Sequence, residues 1–253
     1  MPDDMPALPE PEVLKARLEE LAQARGFLLP HHGALAAGAP DLHAAYLAMY
    51  KALTVAPRHL SAFERECVWL AILVAVEEGI GTHHLELFRA AGGTDEMAET
   101  LIALTGFADG IDTLSFAQRH WATFLPALDP NAAYARGVAA LSGERIEPAL
   151  VELCLLAVQA ARGSEAGIRH HLRQAYALAV AEERIVEALS YLIWPRGVNC
   201  FLDACTIWHE LMVAGEVTPS PRFAVWAEMK GQGPFDASSG RSVSGFEGGK
   251  RDG

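Results

Sequence analysis

The sequence predicts an almost all-α protein. Alanine is abundant, β-branched runs are few, and apolar residues recur at three- and four-residue steps along most of the 253-residue chain. Pro9-Glu10-Pro11 opens a helix over about residues 11–25, with Val13, Leu14, Leu18 and Leu21 set among charges, and Gly26 stops it. Residues 30–40 hold two histidines (His31, His32), two glycines and two prolines and read as an irregular connection. Asp41 can cap the next helix, which carries Leu42, Tyr46, Met49 and Tyr50 and should end before Pro57. Ser61 and Glu64 form a capping-box signature for a buried helix containing CVWLAILVAV (67–76), and an amphipathic helix follows Gly81. Pro195 and Gly197 break one helix before another starts near Val198. From Pro219 the helical period fades, and residues 231–253, rich in Gly and Ser, read as a flexible tail or an arm ordered by a neighbour.

Composition narrows the function classes. With 20 Lys+Arg against 32 Asp+Glu the formal charge is −12, so the clustered basic surface that nucleic acid or an anionic membrane requires is not expected. The CVWLAILVAV run is half of the roughly 20 residues a membrane-spanning helix needs, and the acidic, Pro-containing start does not read as a secretory signal. Cys67, Cys154, Cys200 and Cys205 contain no Cys-x-x-Cys pair and read as buried, reduced thiols, which points to a cytoplasmic protein.

The chain repeats itself. APDLHAAYLAMYKAL (39–53) resembles ALDPNAAYARGVAAL (127–141), pairing Tyr46 with Tyr134. Residues 64–99 likewise lie over 150–188: Glu66 pairs with Glu152, His83-His84 with His170-His171, and Asp95-Glu96 with Glu182-Glu183. Glu66 to His84 is 18 residues and Glu152 to His171 is 19, so one residue has been gained or lost. The expected organisation is an N-terminal helix (1–28), a first repeat (29–122), a second repeat (123–218) and the tail (219–253).

Glu66, Leu70-Ala71, His84, Gly92 and Asp95-Glu96 in the first copy, and Glu152, Leu156-Ala157, His171, Ala175 and Glu182-Glu183 in the second, resemble the carboxymuconolactone decarboxylase and alkyl hydroperoxidase D superfamily. WPRGVNCFLDA (194–204) is similar to that family's turn-and-helix segment after the motif. The resemblance implies a duplicated helical unit of the alkyl hydroperoxidase D-like fold, two repeats packed as a pseudo-dimer, and assembly into a trimer of such tandem chains. The peroxidase branch places a Cys-x-x-Cys ahead of the His. Those positions here are Glu77 and Ile80, then Ser164 and Gly167, and none can form the disulfide that dithiol peroxidase chemistry requires. What remains resembles the decarboxylase branch, which acts by proton transfer on a small polycarboxylated lactone without a cofactor.

Helical spacing puts His84 with Leu87, Phe88 and Ala91, and His171 with Ala175 and Leu178, near a buried face, with His83 and His170 closer to the polar edge. An imidazole paired with a carboxylate suits acid–base catalysis, and Glu66 and Glu152 are the natural partners. A core histidine satisfied by a carbonyl, or by the Glu of its own unit, is the plainer alternative. No His-x-x-x-His supports a metal site. His120 and His209, like His31-His32, read as surface or packing residues.

Charge favours the second unit for an anionic substrate, because Arg162, Arg169, Arg173 and Arg196 gather there while Glu77, Glu78 and Glu86 surround the first. Arg169 and Arg173, four apart, can present two guanidinium forks to carboxylates, or can form an ordinary solvated face pairing with nearby acids. Trp194 and Tyr191 can line a pocket beside Arg196 or belong to the core. The reading is a cofactor-free lyase or isomerase acting on a small anionic substrate, a carboxylated lactone or aromatic ring-cleavage product. His171, positioned by Glu152, protonates a dienolate; Arg173 and Arg196, with Arg169, His170 and Trp194, hold the substrate; and His84 with Glu66 is a second or degenerate site. A thiol antioxidant or a non-catalytic helical scaffold are the rivals.

Overall fold

The computed structural model describes residues 8–229, and among them the regular structure is entirely helical. The chain divides into two compact units after Ala62. The boundary expected at 122/123 therefore falls inside the second unit, which carries both Glu/His motifs.

In the first unit, α1 (Pro11–Arg25) ends at Gly26, whose left-handed φ of 78° closes the last turn. The connection expected over residues 30–40 is instead mostly helix, α2 (Pro30–Gly38). Pro30 takes the first helical position, where a missing N–H costs nothing, and Ala34, Leu35, Ala36 and Ala37 carry the helix past Gly33. Pro40 opens α3 (Pro40–Tyr50) in the same way, so Ala39 and not Asp41 is the cap residue, and a π turn (Lys51–Val55) ends the run before Pro57. His32 is a packed core group: Arg25 donates to its Nε2 at 2.7 Å, and its Nδ1 lies 3.1 Å from His43 Nε2.

The second unit contains α4 (Ala62–Ala75), α5 (Thr82–Ala90), α6 (Asp95–Phe107), α7 (Gly110–Trp121), α8 (Pro130–Ser142), α9 (Pro148–Arg162), α10 (Glu165–Ala177), α11 (Glu182–Ser190) and α12 (Val198–Val213). Its centre is α9. Leu153, Cys154, Leu155, Leu156, Ala157 and Val158 are all buried, so this helix is covered all round, by α6, α10, α11 and α12. Residues 66–73 of α4 are buried as well. A 3₁₀ turn (Tyr191–Ile193) and Gly197, at φ 79°, separate α11 from α12, as Pro195 and Gly197 predict.

The expected tail begins later than residue 219. Residues 221–228 form α13 (Pro221–Glu228), again opened by proline, and Phe223 and Trp226 pack on Trp208 with ring centroids 5.3 and 5.4 Å away. The period was too short to read because one turn of apolar contact suffices here. A polar chain anchors it: Trp208 Nε1 donates to the Tyr176 hydroxyl at 2.9 Å, that hydroxyl donates to Glu182 at 2.5 Å, and Ser220 N donates to the same carboxylate at 3.2 Å. The rest of the expected tail, from 230, lies outside the described residues.

Glu182→Ala leaves two donors without their acceptor and is expected to cost about 2 kcal/mol. It should lower the urea midpoint and open 219–229 to limited proteolysis; an unchanged midpoint would refute this anchoring.

Candidate active site: two glutamate–histidine pairs

Glu66 lies mid-way along the apolar face of α4 and is 1% exposed, so it requires a partner. His84 of α5 supplies it: its Nδ1–H donates to Oε2 at 2.7 Å, while Arg65 Nε donates to Oε1 at 2.8 Å. The His84 ring stacks on Trp69 (centroids 4.4 Å apart, planes 18° apart), and Trp69 stacks on Tyr191 at 5.1 Å. Tyr191 in turn donates to Glu187 at 2.7 Å. Among the described residues the hydrogen bond to Glu66 is the only one the His84 ring makes. Phe88 shares the buried face with His84, as expected, whereas Leu87 is exposed.

Glu152 on α9 and His171 on α10 form the matching pair, with Nδ1 and Oε2 2.6 Å apart. This ring is 0% exposed and its second nitrogen is also occupied, since the Tyr134 hydroxyl donates to Nε2 at 3.2 Å. Gln159 closes the far side. Its Nε2 donates to Ala108 O at 2.7 Å and to the Tyr134 oxygen at 3.4 Å. Ala175 packs as expected, and Leu178 is exposed.

His170 departs from the polar edge where spacing alone put it. It is 3% exposed, edge-on to Tyr134, and its Nδ1 meets Asn131 Oδ1 at 2.9 Å, because α8 covers that side of α10. Burial, helped by the neighbouring His171 and Arg173 charges, pushes its pKa down to about 4.

The arginines expected to hold substrate are engaged by the protein's own acids. Arg169 donates to Glu165 at 2.8 Å and pairs with Glu210, and Arg173 donates to Glu216 at 2.9 Å. Arg173 is also two residues from His171, which turns it about 200° away around α10. Arg196 is exposed in the turn before α12, and Trp194 is half-buried. Arg162 and Arg169 line an open cleft of about 600 Å³ together with Arg119 and Ser164.

The positions where the peroxidase branch carries thiols have structural occupants. Ser164 caps α10, its Oγ accepting from Gly167 N at 3.0 Å. A Cβ on Gly167 would lie 2.2 Å from the Gln159 side chain, so no larger residue fits there as the structure stands. Ile80 is exposed, and Glu77 sits at a left-handed φ of 55°. Cys67, Cys154 and Cys205 are poor nucleophiles: burial pushes Cys67 up to about 12 and Cys205 up to about 11, and raises Cys154 well above the ordinary range. Among the described residues no group of three or more His, Cys, Asp or Glu is placed to hold a metal ion, and no helix is long and apolar enough to cross a membrane.

Four site residues escaped the sequence reading: Arg65, Trp69, Tyr134 and Gln159. Tyr134 served only as a landmark of the repeat. Arg65 and Trp69 flank Glu66 at one and three residues, a spacing that could have flagged them.

The fold and these pairs define an all-helical protein with a carboxylate–imidazole couple between successive helices, formed twice. Residues 127–210, spanning the second pair, match the model of the Carboxymuconolactone decarboxylase family, which supports membership of the superfamily of that enzyme and alkyl hydroperoxidase D. No curated protein and no solved structure matches the chain.

The low pKa of His170 makes stability depend on acid. Its folded pKa of about 4 lies below the ordinary 6.5, so the unfolded chain binds the proton first, and stability present above pH 6.5 is lost as pH falls towards 4. His32, also near 4 and lowered chiefly by burial, acts in the same direction. Thermal melts across this range should show the fall, and His170→Gln should flatten it; an equal slope in the variant would count against a buried neutral His170.

Proposed function

We propose that the chain is a cofactor-free lyase or isomerase acting by proton transfer on a small carboxylated lactone or related aromatic ring-cleavage product. His84 is the acid–base group and Glu66 the residue that positions it. The observation that carries this reading is the half-committed His84 ring: Nδ1 is held by a buried carboxylate, and no described residue bonds Nε2. An imidazole so oriented can present Nε2 to a substrate. In a decarboxylation the bond from ring carbon to carboxylate breaks and carbon dioxide leaves. The electron pair passes into the conjugated system as a dienolate, Nε2–H protonates carbon, and solvent returns the proton. In an isomerisation the same nitrogen removes a proton and delivers it elsewhere.

The two motifs are read as a duplicated unit packed as a pseudo-dimer. The same bond, from His Nδ1 to the Glu of the preceding helix, recurs in each copy and supports that view. A cytoplasmic homo-oligomer is the assembly the resemblance implies.

A second reading keeps the chemistry at His171, and the family match over 127–210 favours it. It requires the Tyr134 hydroxyl to leave Nε2 or to relay the proton.

Kinetics on a panel of carboxylated γ-lactones separates the two. His84→Ala should lower kcat/KM by about 10²–10⁴ with the fold retained. His171→Ala, which strands Glu152, should cost about 3 kcal/mol of stability and change turnover far less. The reverse pattern would move the site to His171, and a wild-type protein inert to the whole panel would leave a helical scaffold.

A further inference from the structure

The first pair is furnished differently from the second, and the difference concerns hydrogen-bond donors. Where Arg65 and Trp69 flank Glu66, Val151 and Leu155 flank Glu152. Val151 and Leu155 are buried hydrocarbon. Arg65 and Trp69 are four apart on one face of α4 and carry N–H groups that the fold leaves unused. The Trp69 indole Nε1 is buried and has no hydrogen-bond partner. Arg65 is largely buried and makes one hydrogen bond among the described residues, through Nε to Glu66, which leaves both terminal nitrogens over.

A buried N–H without an acceptor is costly and rare, and proteins retain one where something else supplies the acceptor. Here it belongs to the ring on which His84 stacks. Arg65 and His84 donate to the two oxygens of one carboxylate, so all three groups form a single cluster around Glu66. With His84 protonated the cluster carries one net positive charge, which suits an anionic oxygen.

We propose that Trp69 and Arg65 form an anion subsite at His84, the indole N–H and the guanidinium binding the carboxylate or developing enolate oxygen of a small organic acid. The proposal rests on the acid–base reading of His84 and assigns the ligand class and two binding residues to it. It also reverses the expectation that substrate carboxylates are held by arginines of the second unit.

The test uses ¹H–¹⁵N spectra of the indole N–H of Trp69, assigned with Trp69→Phe, during titration with 5-oxotetrahydrofuran-2-carboxylate, with acetate, and with the methyl ester of the lactone acid. Both carboxylates should shift the Trp69 and His84 signals, and the uncharged ester should not. Arg65→Gln should weaken lactone-carboxylate binding about tenfold or more, and Trp69→Phe, which keeps the ring and loses the donor, by about threefold to tenfold. Arg65→Gln keeps a polar N–H donor next to Glu66, and the wild-type titration needs no variant. If the carboxylates move His84 but not Trp69, or if Arg65→Gln binds as tightly as wild type, the subsite is wrong while the acid–base reading stands. If Trp69 and His84 both respond but no lactone is turned over, the subsite stands and the lyase reading falls. If neither carboxylate moves any of these signals, the subsite is overturned.

Discussion

A carboxylate buried in the middle of an apolar helix must be matched by a fixed donor, and much of the second unit is arranged around meeting that demand twice. Glu66 interrupts the hydrocarbon of α4, and Glu152, 13% exposed, sits at the edge of the deeply buried α9. Leaving such a group unpaired costs more than either helix recovers by burying neighbouring leucines. Each acid is therefore bonded to an imidazole of the next helix. The bond fixes both rotation and height, because a turn of α5 or α10 by one residue would swing the ring about 100° away. Packing supplies most of the free energy, and the pair selects which packing is adopted.

From this common frame the two copies have moved apart. Around His171 a tyrosine and a glutamine have filled the space beside the imidazole, so its nitrogens are consumed by the protein. Around His84 the neighbours are an arginine and an indole with hydrogen-bonding capacity to spare. At one centre both imidazole nitrogens are taken by the protein. The other retains valence for a visitor, although it lies in the half of the chain whose surface acids suggested the reverse.

The fold was legible where periodicity extends over several turns: α1 and α4 follow from apolar spacing, and Gly26 and Gly197 mark breaks through their left-handed backbone. It failed at α2 because a proline at the start of a short helix looks in sequence like a proline that forbids one, and at α13 because the apolar period there is too short to read. The Glu–His couples were legible because each spans 18 or 19 residues within two adjacent helices. The fate of the arginines was not, since Glu210 and Glu216, which occupy Arg169 and Arg173, lie more than forty residues downstream. Nor was the closure at His171, which depends on Gln159 extending into a volume that Gly167 leaves vacant.

That last interlock bears on the history open to the chain. Glutamine at 159 and glycine at 167 are two halves of one shape, so neither can be revised alone without an intermediate whose core is overfilled or hollow. A lineage carrying this pair that came under selection for thiol chemistry would have to shrink residue 159 before a cysteine at 167 could be accommodated. The first of those steps would remove the amide that holds Ala108 and Tyr134 while yielding no redox gain. The packing acts as an epistatic ratchet: it makes the absence of the dithiol hard to reverse.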